Sequence, residues 1–283
     1  MSWLWATSCL TARYKDADTK ATAIQNELTY RAAERLYKDK NWKDAREEYK
    51  KVAGYKDADS KVATCDNEIA AARRAEFTTV GKTFTFGHYE QDNNTGNGKE
   101  AIEWQVLDVK GDKVLIISKN TLDAKVYNDS YTSITWEKCT LRTWLNKDFL
   151  NAAFSAAEQA GIETTTVDNS KAQGYSGFST NGGNNTQDKI FLLSYAEAWK
   201  YFDSDSARVS TPTKYAKAQR SDSNRWWLRS PGYFQDSAAL VGSEGSHYNI
   251  ILDVNDTRGV RPALWVNLES GIFKSYFETG SWE

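Results

Sequence analysis

The stretch WWLRSPGYFQDSAALVGSEGSHYNIILDVNDTRGVRPALWVNL, from Trp226 to Leu268, decides the fold of this chain. Its two ends combine large aromatic residues with arginine and are typical of short strands between turn signals. Its middle mixes Tyr, Phe, Asp, Ser, His, Ile, Asn and Thr in no order that suggests catalysis. The stretch therefore predicts a rigid frame around a loosely specified centre.

Outward from this stretch, the chain alternates between strand and helix signals in blocks. TVGKTFTFGHYEQD alternates as a strand does, and IEWQVLDVKGDKVLIISKN predicts a hairpin closed by a KGDK turn. Helices are predicted in TWEKCTLRTWLNKDFLNAAFSAAEQAGI, and IFLLSYAEAWKYF predicts a strand that leads into a helix. The polar segment ETTTVDNSKAQGYSGFSTNGGNNTQDK predicts a loop. Strands, then helices, then strands indicate an α+β fold with antiparallel pairing.

The first quarter of the chain is helical and contains a repeat. YKDADTKATAIQNE, which begins at Tyr14, returns as YKDADSKVATCDNE at Tyr55. The segment between them has apolar residues at helical spacing, and Gly54 stands where a helix end needs a positive φ. This pattern resembles one tetratricopeptide-like helix pair flanked by two YKDAD helix starts. We predict a helical stem over 1–75 that serves as a spacer or docks another protein, with peptide binding in a groove as the alternative.

The change of pattern near Phe77 predicts a second domain over 77–283. At 40% hydrophobic and 26% charged residues the chain is globular. A formal net charge of −2, with no run of Lys or Arg, argues against a nucleic-acid partner. No stretch reaches the roughly 18 apolar residues that span a bilayer. MSWLWATSCL is too short for a span and lacks a basic start. We therefore expect a cytoplasmic protein by default, while a missing leader would allow surface display.

Catalytic and metal-binding signatures are absent from the sequence. Cys9, Cys65 and Cys139 lie far apart, and with only two histidines they form no cluster at zinc-ligand spacing. Buried structural thiols are the simpler interpretation. No GxSxG, phosphate-binding or dinucleotide-binding glycine pattern occurs. We predict no enzyme, no cofactor and no metal.

Seven landmarks in order carry a resemblance that covers about 77–268. They are TFGHYEQD, GKEAIEWQVLD, TWEKCTLRTWLN, FLLSYAEAWKYF, TPTKYAKAQ, WWLRSPG and GVRPALWVNL. Together they resemble a bacterial C-type-lectin-like domain family, some members of which resemble variable proteins of diversity-generating retroelements. In such systems a reverse transcriptase copies a template with errors at adenines, and the copy overwrites the 3′ part of the gene. The resemblance implies a fixed scaffold that displays altered residues to a protein or cell-surface ligand.

The genetic code offers a check on this interpretation. Mutation of both adenines of an Asn codon reaches every amino acid except Lys, Gln, Glu, Met and Trp. Between Tyr233 and Arg258, only Gln235 and Glu244 belong to that excluded set, where roughly five would be expected for a globular composition. Tyr, Ser, Gly and Asn are also the residues that antibody paratopes favour. We predict a variable segment over about 233–258.

The prediction assigns roles within and around this segment. Small apolar residues should be fixed and inward: Ala238, Ala239, Val241 and Val254. Ligand-binding residues should mostly face solvent on one side: Tyr233, Phe234, Asp236, Ser237, Leu240, Tyr248, Ile250, Asp253, Asn255 and Asp256. The scaffold should bury large groups, with carboxylate or carbonyl partners for the arginines: Trp226, Trp227, Arg229, Arg261 and Trp265.

Two alternatives share the lectin-like fold. One is a lectin or adhesion module of fixed specificity. The other, more distant, is an oxidase of the formylglycine-generating type, which the resemblance associates with closely placed cysteines, whereas Cys139 is alone in the second domain. The WVN triplet at Trp265–Asn267 only faintly resembles the calcium and sugar loop of C-type lectins, and its neighbouring acidic residues are missing. The presence of a structural calcium stays open.

Overall fold

The computed structural model describes residues 3–246 and 252–282, with side chains from Tyr14 onwards in those ranges. The chain is α+β, as predicted. The α-helices are α1 (Trp3–Lys38), α2 (Trp42–Lys50), α3 (Ala58–Thr78), α4 (Thr140–Trp144), α5 (Leu150–Ala153), α6 (Ala156–Gly161), α7 (Tyr195–Tyr201), α8 (Asp205–Arg208), α9 (Lys214–Gln219) and α10 (Gly271–Thr279). The strands are β1 (Thr83–Tyr89), β2 (Glu100–Lys110), β3 (Lys113–Ser118), β4 (Asp123–Val126), β5 (Thr165–Val167), β6 (Thr186–Asp188), β7 (Ile190–Phe191), β8 (Trp226–Pro231), β9 (Ala238–Val241), β10 (Thr257–Val260) and β11 (Ala263–Asn267).

Two compact units divide the chain. The first contains the described residues up to Arg74 together with Phe277–Gly280, and the second contains Ala75–Tyr276. The division at Arg74 falls close to the predicted change of pattern. The chain returns to the first unit near its end, where the Arg73 guanidinium donates to the carbonyls of Phe277 and Glu278, 2.7 Å in each case. The sequence pattern did not predict this return.

The first unit packs α1, α2 and the start of α3 around a small core. Ala33 of α1, Ala45 and Tyr49 of α2, and Ala58 and Cys65 of α3 are fully buried. Their spacing within each helix places them on one face, as the periodicity of the sequence predicts. Tyr and Trp side chains then cover this core from its edges.

The two YKDAD copies have different structures, and the prediction that both start helices is wrong. The copy at Tyr55 leads into α3, whereas the copy at Tyr14 lies inside the continuous helix α1. Gly54 explains the difference. It ends the preceding turn with φ +76°, a conformation that glycine adopts without cost. The position 41 residues earlier holds Arg13, which gives the chain no such place to break the helix.

A five-stranded sheet orders β1-β2-β3-β11-β7 in the second unit. Its pairs are antiparallel, and the predicted β2–β3 hairpin is present. β11 comes last in the chain but lies between β3 and β7, with Leu264 opposite Ile116 and Trp265 opposite Leu115. The sheet thus joins the start and the end of the unit, and β7, from the segment between them, forms one edge.

A four-stranded sheet orders β4-β10-β8-β9. β8 and β9 are buried along their whole length, so both faces of these two strands are covered. β10 and β8 run parallel through Gly259 and Trp226, which departs from the expected antiparallel pairing. Of the predicted YNIILDV strand, the described part contributes one bridge, between Asp253 and Ser237. Residues 247–251 lie outside the described ranges.

The polar segment predicted as a loop contains a two-stranded sheet. β5 and β6 pair antiparallel, with Thr166 opposite Gln187. Between them the Asn169 side-chain amide donates to the Asn184 carbonyl at 2.9 Å, and the Asn169 backbone N–H donates to the Asn185 Oδ1 at 3.0 Å. Asn side chains stabilise such turns by replacing backbone partners, which is why a sequence poor in apolar residues is nevertheless ordered here. Among the described residues, no helix is both long and apolar enough to cross a bilayer.

Candidate ligand-binding surface

A short closed loop follows β8 and presents two aromatic side chains. The Gly232 N–H donates to the Ser237 carbonyl at 2.8 Å, and the Ser237 hydroxyl donates to the Phe234 carbonyl at the same distance. A Cβ on Gly232 would lie 2.4 Å from the Ser237 Oγ, so the closure requires glycine. Tyr233 and Phe234 at the tip are 53% and 48% exposed. The loop is therefore held by backbone and serine, and the two rings contribute no hydrogen bond to its closure.

Gln235 fixes this loop to two other segments. Its side-chain amide donates to the Ile134 and Asn181 carbonyls, 2.9 Å in each case, and its Oε1 accepts the Asn181 N–H at 3.0 Å. Thr180 adds a hydrogen bond to the Gly232 carbonyl at 2.8 Å. Gln235 is one of the two residues that adenine mutation of Asn codons does not reach. Its three bonds give it a structural role in this surface.

A row of six aromatic rings continues from the loop tip across the surface, hereafter the aromatic row. Successive ring centroids lie 4.9, 5.6, 5.0, 5.2 and 4.3 Å apart. The six rings, in order, belong to Phe234, Tyr233, Phe178, Tyr175, Tyr195 and Trp199. The first four contacts are edge to face, which is the geometry that the quadrupoles of such rings prefer. None of the six rings is fully buried, so the row forms an extended, partly apolar contact surface.

Tyr131 and two carboxylates form a polar group from the same segment. Tyr131 is 57% exposed. Its hydrogen bond to Asp236 raises the pKa of the phenol, and the charge of Asp253 contributes in the same direction. Asp236 and Asp253 belong to neighbouring backbone, because the Val254 N–H donates to the Asp236 carbonyl at 3.0 Å. The arrangement offers acceptors and a phenol to a ligand.

The ten predicted ligand-binding residues differ in their exposure to solvent. Six are exposed or half-buried: Tyr233, Phe234, Asp236, Asp253, Asn255 and Asp256. Asp256 also pairs with Arg258 at 3.3 Å. Tyr248 and Ile250 lie outside the described residues.

The prediction that Ser237 and Leu240 face solvent is wrong, because each is only 2% exposed. Ser237 uses its hydroxyl to close the loop described above. Leu240 pairs with Trp227 in a strand whose two faces are both covered, so alternation along the strand brings no side chain to the surface. The residues predicted to be small and inward, Ala238, Ala239, Val241 and Val254, are all buried.

Arg229 lies at the centre of the frame beneath the surface. The residue is 2% exposed. Its guanidinium donates to both carboxylate oxygens of Glu197, to the Leu192 and Asp168 carbonyls at 2.9 Å, and to the Asn169 Oδ1 at 3.2 Å. Buried charge is tolerated only when its donors are used in this way. One residue therefore connects β8, α7, the residue that follows β7 and the polar segment.

The other scaffold residues differ in their surroundings. Trp226 and Trp227 are fully buried. Arg261 donates to the Ser118 carbonyl at 2.8 Å and lies 5.1 Å from the ring centroids of Phe202 and Trp226. Burial lowers the pKa of Arg261 to about 9, which leaves it charged at neutral pH.

The prediction that Trp265 is buried in the scaffold is wrong, because this residue is half-buried. The Lys110 ammonium lies 5.0 Å from its ring centroid. Its neighbours on the strand, Leu264 and Val266, are fully buried. The sequence predicted a buried position for Trp265, but the face of β11 that carries its side chain is not completely covered at that position.

Among the described residues, the cysteine and carboxylate groups considered for reactivity or metal binding are buried or already hydrogen-bonded. Cys139 is buried, and burial raises the pKa of its thiol to about 12. Asn267 of the WVN triplet uses its amide on Glu163 at 2.7 Å. One group of three carboxylates, Glu90, Asp92 and Glu100, brings oxygens within 4.8 Å of one another in the connection from β1 to β2. These carboxylates already accept backbone N–H groups of that turn.

Sequence reasoning missed five aromatic residues of this surface: Tyr131, Tyr175, Phe178, Tyr195 and Trp199. Two of them, Tyr175 and Phe178, stand in a Gly- and Ser-rich segment that was interpreted only as a loop. Aromatic residues in such surroundings lack a covering core, and that signal was present in the sequence.

Comparison with known proteins finds one family. The family described as "Domain of unknown function (DUF6273)" matches residues 111–268, which is more than half of the chain. The matched range begins at the β2–β3 turn and ends just after β11, so it includes the four-stranded sheet and the surface, whereas β1 and β2 of the five-stranded sheet precede it. No curated protein and no solved structure matches the chain significantly.

Proposed function

We propose that this chain, which belongs to the DUF6273 family, is a ligand-binding protein that displays a diversified surface on a C-type-lectin-like scaffold. The ligand is a protein or a cell-surface group. The diversity comes from mutagenesis by a diversity-generating retroelement acting on the codons of the segment 233–258. The proposal assigns the chain no catalytic activity. The helical stem serves as a spacer or docks another protein.

The observation that carries the proposal is the separation of support from display in the loop after β8. Backbone groups and Ser237 close the loop, and Gln235 attaches it to its neighbours. The side chains of Tyr233 and Phe234 extend outward, and their rings contribute no hydrogen bond to either task. A surface that must accept many different residues needs this separation, since a buried position responds to a single added methylene group.

The composition of the surface supports ligand binding. A monomer gains nothing from exposing Tyr131, Tyr233 and Phe234 together, and clustered exposed apolar area usually marks an interaction site. Tyr gives large contact area at low entropic cost, and its hydroxyl can bond to a ligand. The carboxylates of Asp236 and Asp253 add acceptors beside the rings.

The burial corrections refine the proposal. Ser237 and Leu240 move from the displayed set to the scaffold, together with Gln235. The displayed set among the described residues is then Tyr233, Phe234, Asp236, Asp253, Asn255 and Asp256. Each of these is at least partly exposed, so replacement there leaves the core intact.

The nucleotide sequence tests this proposal. A template repeat near the gene, aligned with the codons for 226–268, should differ from them only at template adenines. Those differences should fall on the codons of the displayed set, while the codons for Trp226, Gln235 and Arg261 should match the template. A gene with no template repeat, or with differences at all four bases spread over the domain, would overturn the proposal and favour a lectin or adhesion module of fixed specificity.

A further inference from the structure

A cavity of about 260 Å³ opens against the face of the five-stranded sheet that carries Trp265. Trp265 of β11 and Leu115 of β3 form its floor, since the two residues are direct cross-strand partners. The segment 163–168 and α7 form its walls. None of these residues belongs to the variable segment, so the site is distinct from the proposed display surface. Its volume lies just below the roughly 300 Å³ at which sites for drug-sized molecules begin, and therefore suits a small planar ring system.

The carboxylates around this cavity already have partners. Both oxygens of Glu197 accept from Arg229. The Asp168 carboxylate accepts from the Ser170 N–H at 2.8 Å and from Gln173 at 3.0 Å.

Glu163 is held in the same way, by Lys113 at 3.0 Å and by Asn267 at 2.7 Å. Each of the three carboxylates therefore already has hydrogen-bond donors, and those of Glu163 and Glu197 are paired with cations. The acidic residues thus stabilise the walls of the cavity through these hydrogen bonds.

The groups left to a ligand are donors. Lys110 has its nearest carboxylate oxygen, on Asp108, at 4.0 Å, and its side chain is 65% exposed. The indole N–H of Trp265 makes no hydrogen bond with another described residue, and neither do the hydroxyls of Thr164 and Thr165. The Lys110 ammonium lies over the indole face at 5.0 Å from the centroid and can swing away from it. An aromatic face next to a mobile cation and free donors recognises a flat apolar body that carries a negative charge.

We infer that this cavity binds a small planar aromatic acid. The ring of the ligand stacks on Trp265 in the place that the Lys110 ammonium now covers. The ammonium of Lys110 then pairs with the carboxylate of the ligand, and the indole N–H and the threonine hydroxyls supply the remaining donors.

Calorimetric titration of the full chain tests the inference with indole-3-carboxylate and benzoate as probes. Their neutral amides and benzylamine serve as charge-altered partners. The acids should bind saturably and more tightly than the amides, and benzylamine should not bind. Lys110→Gln should weaken binding of the acids about tenfold or more, as expected for a lost charge-assisted hydrogen bond, and should leave the amides unchanged. Lys147→Gln, at an exposed lysine outside the cavity, is the matched control and should change nothing.

The Trp265 indole N–H resonance locates the site. The chain has 11 Trp residues, and Trp265→Phe identifies this resonance by its loss while keeping a ring in the floor. The resonance should shift on addition of indole-3-carboxylate with the same saturation as the heat signal. Absence of saturable binding by either acid at millimolar concentration would overturn the inference. So would equal affinity for acids and amides, or binding of the acids that Lys110→Gln leaves unchanged.

Discussion

Arg229 and Glu197 meet through two hydrogen bonds, from both terminal nitrogens of the guanidinium to both oxygens of the carboxylate. Glu197 has a second role in the same position. Its Oε2 accepts the Ser194 N–H at 3.0 Å, and the Ser194 hydroxyl accepts the Glu197 N–H at 3.0 Å, which completes a capping box at the start of α7. The ion pair therefore fixes β8, from which the displayed loop emerges, to the helix that carries the far end of the aromatic row.

Removal of one partner of this pair should be costly. Arg229→Ala leaves the partly buried Glu197 carboxylate without its cation, and the loss of a buried partner typically costs about 3–5 kcal/mol. Arg220→Ala is the matched control, because Arg220 pairs with Asp222 at the surface, where such pairs contribute about 0–1 kcal/mol. Chemical denaturation measures both free energies of unfolding. Equal losses for the two variants would show that Arg229 is not a frame residue.

The two tryptophans at the ends of the fold-deciding stretch should differ in their contribution to stability. Trp226→Ala removes a fully buried ring and should destabilise the chain by about 3–5 kcal/mol. Trp265→Ala removes a half-buried ring beside an existing cavity, so it should lower the free energy of unfolding by clearly less. Thermal unfolding followed by near-UV circular dichroism compares the two variants. A larger loss for Trp265→Ala would restore the original prediction that Trp265 anchors the core.

Acid should weaken the helical stem through Glu27. Hydrogen bonds from Lys56, Tyr55 and Arg31 lower the pKa of Glu27 from 4.5 to about 2. A depressed folded-state pKa contributes stability that is present above pH 4.5 and is lost as the pH falls towards 2. Glu27→Gln should therefore lower the Tm at pH 6, and the difference between variant and parent should shrink by pH 2.5. A difference that is constant over this range would contradict the role of the charge.

The predicted domain division has its own test. Residues 77–283 should fold without the stem, because both sheets and the displayed loop lie within this range. Expression of this fragment should give dispersed amide resonances and a cooperative melt. An aggregating or molten product would contradict the division, and addition of the stem residues in trans would then show whether the return of Phe277–Gly280 to the first unit is the cause.

Several features of the fold could be predicted because local patterns and tertiary contacts agree. The β2–β3 hairpin followed from alternation and a KGDK turn, and the strand leading into α7 followed from the pattern of IFLLSYAEAWKYF. Arg229 of β8 and Arg261, which lies between β10 and β11, required hydrogen-bond partners, and the structure provides them. These inferences hold because each needs only the residue type and its immediate neighbours.

The failures share a physical cause, which is that burial depends on what covers a strand. Leu240 follows a run of small residues and was assigned to the surface, yet both faces of β9 are covered. Trp265 was assigned to the core, yet one face of β11 is open. The burial of Leu240 and of Trp265 cannot be predicted from the alternation of residues along a strand alone. Alternation shows which residues share a face of the strand, but it does not show which face meets solvent. The aromatic row was missed for the same reason, since its six rings come from three separated segments.

A saturation library over residues 233–246 and 252–258, expressed on the full chain and sorted for folded protein, tests the central claim most directly. The account predicts that Tyr233, Phe234, Asp236, Asp253, Asn255 and Asp256 accept most amino acids, with stability changes within about 0.5 kcal/mol for ordinary surface substitutions. Ser237, Leu240, Val241 and Val254 should reject most of them, and Gln235 should reject all but close analogues. A pool randomised only at the tolerant positions should then yield binders to unrelated protein ligands. A tolerance profile with no relation to exposure, or a folded pool from which no binder can be selected, would contradict the claim that this chain separates a fixed frame from a displayed surface.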